Sequence, residues 1–108
     1  MAIRGVIQRV TIDISATGAG TTDVIAGIAG ECIHILSLFV TTELDANLIF
    51  KRGSTAMTGT VYLAARGGFV YGHEPFAVWS TLGGETFGIY RAATANLGGS
   101  IVYVQGPI

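Results

Sequence analysis

The stretch Glu31-Cys32-Ile33-His34-Ile35-Leu36-Ser37-Leu38-Phe39-Val40-Thr41-Thr42 decides the fold of this 108-residue chain. Its β-branched and aromatic residues are typical of a β-strand. On such a strand both faces are apolar, with Ile33, Ile35 and Phe39 on one face and Cys32, Leu36, Leu38 and Val40 on the other. A strand of this kind is buried on both sides, either between two sheets or between a sheet and a neighbouring subunit.

A transmembrane helix is the competing interpretation of this region, because residues 24–40 are mostly apolar. Glu31 and His34 interrupt the apolar run, and Ala29-Gly30 favours a turn between two strands. We therefore predict two strands and no membrane span. Near the N-terminus, Arg4 and Arg9 interrupt the sequence before the apolar core of a secretory signal could form, so we predict no signal peptide.

Outward from residues 31–42, short segments rich in Val, Ile, Thr, Phe and Tyr alternate with glycine-containing turns. This pattern predicts a single all-β domain over residues 1–108 and is typical of a sandwich, jelly roll or small barrel. We favour a β-sandwich or jelly roll of about eight short antiparallel strands. The predicted strands lie near residues 6–15, 23–28, 31–42, 46–52, 59–65, 69–72, 76–81, 85–91 and 100–105. A short helix near residues 92–97 is the alternative for one connection.

The composition predicts contact with another protein chain. Half of the residues are apolar, only 12% are charged and the mean hydropathy is +0.58, whereas an ordinary domain has about 25% charged residues. A chain of this length cannot bury so much apolar surface alone, so we predict an oligomer. The candidate contacts are a possible N-terminal arm, residues 1–8, and the central strand, through Ile3, Val6, Ile7, Leu36, Leu38 and Val40. Alternatively, the arm is the first half of an edge strand.

Charge and cysteine content exclude several functions. The net charge is −1 and the six basic residues are scattered, so no basic stripe is available for nucleic acid. Cys32 is the only cysteine, which excludes an intrachain disulfide and a multi-cysteine zinc site. Independence from disulfides suits assembly in a reducing cytoplasm.

Catalytic chemistry has little support in the sequence. His34 and His73 are the only histidines, and His34 lies within the apolar central strand. A metal site from His73, Glu74 and Glu85 is disfavoured because neighbouring residues on a strand point to opposite faces, and Pro75 favours a turn. The acidic residues are interpreted as solvated or turn-capping groups. We predict no enzyme activity, no cofactor and no bound metal.

The aromatic residues offer an alternative function in ligand binding. Tyr71, His73, Trp79 and Tyr90 could form a carbohydrate-binding surface, since some jelly rolls bind sugars. The competing interpretation is that these aromatic residues fill the core or an interface. No cluster of Asp, Asn and Arg accompanies them to bind sugar hydroxyls, so the second interpretation is favoured.

Several turn and strand motifs together resemble a known group of proteins. They are Val24-Ile25-Ala26-Gly27-Ile28-Ala29-Gly30, Phe50-Lys51-Arg52-Gly53-Ser54-Thr55, Leu63-Ala64-Ala65-Arg66-Gly67-Gly68, Trp79-Ser80-Thr81-Leu82-Gly83-Gly84-Glu85 and Gly98-Gly99-Ser100-Ile101-Val102-Tyr103. In this order the chain resembles small Gly/Ala-rich virion structural proteins of tailed bacteriophages over about residues 10–105. The motifs are turns and strands and include no catalytic signature.

This resemblance implies a β-sandwich subunit of the virion, assembled in the host cytoplasm and without catalysis. Within that group, the expected role is a capsid decoration (cement) protein that stabilises the head. The expected partners are sister copies, in a homotrimer, and the major capsid protein. A tail or fibre component is the alternative, because such components contain similar small β-domains.

Overall fold

A computed structural model describes residues 6–14, 20–72, 79–92 and 95–107 of the chain. The described residues form ten strands and no helix. The strands are β1 (Ile7–Ile14), β2 (Gly20–Ile25), β3 (Glu31–Thr42), β4 (Ala46–Arg52), β5 (Thr55–Ala56), β6 (Val61–Leu63), β7 (Gly68–Gly72), β8 (Trp79–Ser80), β9 (Phe87–Arg91) and β10 (Leu97–Pro107).

The ten strands form two antiparallel sheets, which confirms the all-β class. Sheet A has the order β1-β10-β3-β7, with β8 also paired to β3, and sheet B has the order β2-β9-β4-β5, with β6 also paired to β4. Because β7 and β8 pair with successive parts of β3, they occupy one strand position. The short strands β5 and β6 similarly share one edge of β4. Each sheet therefore has four strand positions.

The order in which the strands pair is that of a jelly roll. The first strand pairs with the last, β2 pairs with β9, β3 with β7 and β8, and β4 with β5 and β6. One long hairpin, folded over so that its halves form two sheets, produces these pairs. Of the two architectures that the sequence predicts, a generic sandwich and a jelly roll, the topology agrees with the second.

The predicted strands agree best with the structure where the hydrophobic pattern is strongest. The bounds of β3 and β4 are those predicted. In contrast, the first part of the predicted strand 59–65 is loop, and β5 was not predicted. The alternative helix over residues 92–97 is not supported, because Leu97 begins β10 and no described residue is helical. Residues 73–78, including half of the strand predicted over 76–81, lie outside the described residues.

A β-bulge in β3 reverses the predicted faces of its second half. The pairing with β10 passes from Ser37↔Val102 to Ile35↔Tyr103, so Leu36 is an extra residue on β3. An extra residue exchanges the two faces beyond it, because side chains alternate along a strand. Leu38 and Val40 therefore lie with Ile33 and Ile35 in the core, and Phe39 is on the outer face.

The core lies between the two sheets and is one cluster of buried side chains. Phe50 is at its centre, fully buried, and its ring is 5.0 Å from that of Trp79 and 6.3 Å from that of Phe87. Sheet A contributes alternate residues of its central strands, among them Ile35 and Ile101. On each strand, the residues that alternate with these buried ones consequently face outward.

One glycine is required for the close pairing of β10 with β3. Gly99 has φ of +148°, and a Cβ atom there would lie 2.0 Å from the carbonyl oxygen of Phe39. Any other residue would have to push the two strands apart. Gly99 thus fixes the distance between the central strands of sheet A beside Phe39.

Candidate interaction surface

The outer face of sheet A has four rows of four residues, with the bulge at Leu36 between the first two rows and Val104 of the first row only 3% exposed. Strand pairing places the outward residues of β1, β10, β3 and β7–β8 in rows across the sheet. The rows are Ile7-Val104-His34-Ser80, Arg9-Val102-Ser37-Gly72, Thr11-Ser100-Phe39-Val70 and Asp13-Gly98-Thr41-Gly68. We call this array the A face.

An exposed apolar pair lies on the side of the A face formed by β3 and the edge strand β7. Phe39 and Val70 are direct cross-strand partners and remain 45% and 81% exposed. Val70 lies between Gly68 and Gly72 on β7, so no neighbouring side chain of its own strand covers it. At the edge of the array, Ile7 is 67% exposed. An exposed apolar surface that continues across strands is a feature of protein contact sites.

Formal charge on the A face is confined to one edge. Arg9 and Asp13 lie on β1, whereas the outward residues of β10, β3, β7 and β8 carry no acidic or basic group other than His34. The ring of His34 has its Nδ1 atom 2.8 Å from the Ser80 hydroxyl oxygen, so this polar group has a partner within the sheet. A surface with few charged groups has a low desolvation cost when another chain covers it.

The outer face of sheet B, which we call the B face, has a charged residue on a central strand as well as on an edge strand. Asp23 and Lys51 lie on either side of Gly88 in one row across β2, β9 and β4. The Lys51 Nζ atom is 5.8 Å from the centre of the Tyr90 ring, within the range of a cation–π contact. Tyr62, on β6, is the most exposed aromatic residue of this face, at 76%.

The predicted contact residues divide between surface and core. Val6 and Ile7 are 73% and 67% exposed, and Ile7 lies in edge strand β1. Leu38 and Val40 are instead buried between the sheets, and Leu36 is only 4% exposed. Since these three side chains have no exposed surface in the subunit, their prediction as contact residues is corrected. Ile3 is outside the described residues.

The exposed apolar residues of the A face that the sequence analysis missed are Phe39 and Val70. Sequence reasoning placed Phe39 on the opposite face because strict alternation, without the bulge at Leu36, assigns it to the side of Ile33 and Ile35. The sequence does not show that Val70 faces outward. Phe69 and Tyr71 are also apolar, and only the strand register shows which of the three is on the outer face.

The alternative ligand-binding residues are brought together only in part. Tyr71 and Trp79 form an edge-to-face pair with ring centres 5.3 Å apart, and Trp79 also packs on buried Phe50. Tyr90 lies on the B face beside Lys51 and so does not share a surface with that pair. His73 is outside the described residues. The aromatic pair extends the core cluster, although Tyr71 is 44% exposed.

Polar groups converge at one end of the sandwich, around Glu85. Its Oε1 atom accepts hydrogen bonds from the Leu82 backbone N–H at 2.7 Å and from the Arg52 guanidinium at 3.0 Å. The Leu82 hydrogen bond is the largest cause that holds the pKa of Glu85 below its ordinary value. Burial opposes it, and the hydrogen bond and charge of Arg52 each lower the pKa by a smaller amount. This geometry confirms a turn-capping role for Glu85.

Other turn contacts have the same structural character. The Asp45 carboxylate accepts a hydrogen bond from the Ala65 backbone N–H at 2.7 Å. Among the described residues, no three His, Cys, Asp or Glu side chains form a group suited to a metal ion. That part of the chain also has no helix with the length and apolar character needed to cross a membrane.

Comparisons with protein-family models, curated proteins and solved structures found no match to this chain. The function is therefore inferred from the exposed surfaces of the chain itself.

Proposed function

We propose that this protein is a non-enzymatic virion structural protein of a tailed bacteriophage, a capsid decoration (cement) protein that stabilises the head. The observation that carries the proposal is the A face, where Phe39 and Val70 are exposed side by side and charge is limited to one edge strand. An exposed apolar pair on a rigid sheet, with few charged groups beside it, is suited to packing against another folded surface.

The expected partners of the A face are sister copies, in a homotrimer, and the major capsid protein. A stable interface buries about 1,600 Å² in total, and repeated copies on a shell multiply the effect of each contact. The B face would then remain toward water. Location on the tail or a fibre is the alternative, because the same face would serve a subunit there.

Two substitutions test the A face directly. The variant F39S/V70S removes exposed apolar groups, so we expect little loss of folding stability, since both side chains lie outside the core cluster. Y62S is the control, because it removes an exposed aromatic side chain from the B face. Light scattering should give an oligomer, expected to be a trimer of the 11.2-kDa chain, for the native protein and for Y62S. It should give a smaller species for F39S/V70S.

Binding to expanded capsids of the phage that encodes the chain separates head from tail. Native protein and Y62S should co-sediment with these capsids, and F39S/V70S should stay in the supernatant. A native protein that is oligomeric but does not bind capsids would favour the tail or fibre location. A native monomer that binds no phage component and in which F39S/V70S changes nothing would contradict the proposal.

A further inference from the structure

The free edge of β1 differs from the other three edges of the two sheets. β1 pairs with β10 on one side over eight consecutive residues without a register shift. Its other side has no strand partner among the described residues. It contains no Pro and no β-bulge, two features that commonly protect an edge from another chain.

Each of the other edges is interrupted. The edge of sheet A opposite β1 is divided between β7 and β8, and the corresponding edge of sheet B is divided between β5 and β6. β2 has six residues and a register shift between Asp23 and Ile25. Such interruptions hinder the addition of a further strand. Only β1 therefore presents a long regular edge.

The two charges of β1 have no ion-pair partner among the described residues. Arg9 and Asp13 are exposed and neither forms an ion pair with a described residue. Their neighbours on β10 are Val102 and Gly98, which carry no charge. Four residues along a strand span about 13 Å, so Arg9 and Asp13 cannot pair with each other. Within the described part of the chain, both charges are therefore available to a group on another subunit.

We propose that β1 pairs antiparallel with β1 of a second copy across a twofold axis at Thr11. This inference rests on the proposed function. Because a twofold axis cannot relate two subunits of one threefold trimer, it specifies a contact between trimers that forms at higher protein concentration than the trimer itself. The register puts Arg9 of each copy opposite Asp13 of the other, and Val10 opposite Ile12. Opposite charges in directly facing positions stabilise a strand pair, and like charges destabilise it.

Other registers are less favourable for defined reasons. A shift that places inward residues opposite outward ones is excluded, because each face of the joined sheet would then combine core side chains of one copy with exposed side chains of the other. An axis at Arg9 or at Asp13 brings two like charges together, and an axis at Val10 or Ile12 leaves Arg9 and Asp13 unpaired. The axis at Thr11 satisfies both charges of both copies, and it also continues the apolar inner face from one subunit to the next.

Charge reversal tests this register through rescue. R9D and D13R each place like charges opposite each other twice, so each should weaken association by about tenfold. The double variant R9D/D13R restores opposite charges in the same register and should regain native association. An equimolar mixture of R9D and D13R should also associate, because every facing pair between the two variants is then opposite in charge. D23R, on interrupted edge strand β2, is the control and should associate as the native protein does.

Sedimentation velocity over a concentration series would measure these associations, in the native sequence and in the F39S/V70S background. In that background the A face is impaired, and the remaining species should be a β1-linked dimer. Unchanged association in R9D and D13R, or failure of the double variant and of the mixture to associate, would overturn the β1 pairing.

The two proposals fail in distinguishable ways. If F39S/V70S reduces assembly but the charge variants do not, the A-face function stands and the β1 pairing is wrong. If the native chain stays monomeric but binds capsids in a manner that R9D abolishes, a strand of another protein occupies the β1 edge, and the second-copy proposal is overturned. If the charge variants behave as predicted and F39S/V70S has no effect on assembly or capsid binding, the A-face function is wrong and the β1 pairing stands.

Discussion

The outer faces of the two sheets differ although both sheets have four antiparallel strand positions. The B face carries Asp23 and Lys51 in the same row, with the Lys51 ammonium near the Tyr90 ring. The A face has exposed Phe39 and Val70 on β3 and β7 and formal charge only on β1, at the opposite edge. One fold therefore presents a surface suited to water and another suited to a protein partner.

The largest expected effect comes from comparing Leu38 and Phe39, which are adjacent on β3. The first should support folding and the second should support assembly. Leu38 is buried in the core, and L38A should lower the free energy of unfolding by about 2–5 kcal/mol. Phe39 is 45% exposed on the A face, and F39S should change it by about 0.5 kcal/mol or less. Urea denaturation in dilute solution would measure both. Similar losses would show that Phe39 supports the fold rather than a contact.

A second comparison concerns the backbone beneath the A face. Gly99 and Gly20 both have positive φ, +148° and +137°, but only a Cβ at Gly99 would collide with another strand. G99A should therefore destabilise the protein by about 2 kcal/mol or more, from strain and from separation of β10 and β3.

G20A is the control for strain alone, because nothing lies within 4 Å of its added Cβ. It should cost about 1 kcal/mol. Thermal unfolding of the two variants gives the comparison. Equal destabilisation would mean that the close approach of β10 to Phe39 does not constrain the sheet.

The smallest expected effect concerns Glu85, which lies on neither face. Its folded-state pKa is lowered from 4.5, chiefly by the hydrogen bond from the Leu82 backbone N–H and also by Arg52. The ionised carboxylate therefore stabilises the native state above pH about 4.5, and this stabilisation is lost as the pH falls through the lower folded-state pKa.

E85Q should reduce stability near neutral pH and make it less dependent on pH in the acidic range. Denaturation curves between about pH 6 and pH 3 would measure the slopes for E85Q and for the native protein. Light scattering at neutral pH should give the same assembly state for both, because Glu85 lies in the loop between β8 and β9 and not on a strand of the A face. An unchanged slope would contradict the role assigned to Glu85.

The sequence was sufficient to predict the class of fold but not which side chains reach the surface. The long apolar pattern of β3 and the polar turns around it predicted an all-β sandwich and the bounds of β3 and β4. Hydrophobic patterning is strong evidence for such strands because burial dominates their stability. The positions of acidic residues beside the turns also predicted turn capping, which Asp45 and Glu85 confirm.

The A face could not be derived from the sequence for physical reasons. A single extra residue at Leu36 exchanges the inward and outward positions of the rest of β3, and a bulge has no clear signature in an all-apolar segment. The row that joins Thr11, Ser100, Phe39 and Val70 also depends on strand register between distant parts of the chain. The proposed virion role and trimer stay predictions.

The most direct test of the account is hydroxyl-radical footprinting of the native protein across a dilution series. Phe39 and Val70 on the A face should become protected as the concentration rises, whereas Tyr62 on the B face should stay fully reactive. Equal reactivity of the three side chains at every concentration, or protection of Tyr62 alone, would contradict the claim that the A face is the contact surface.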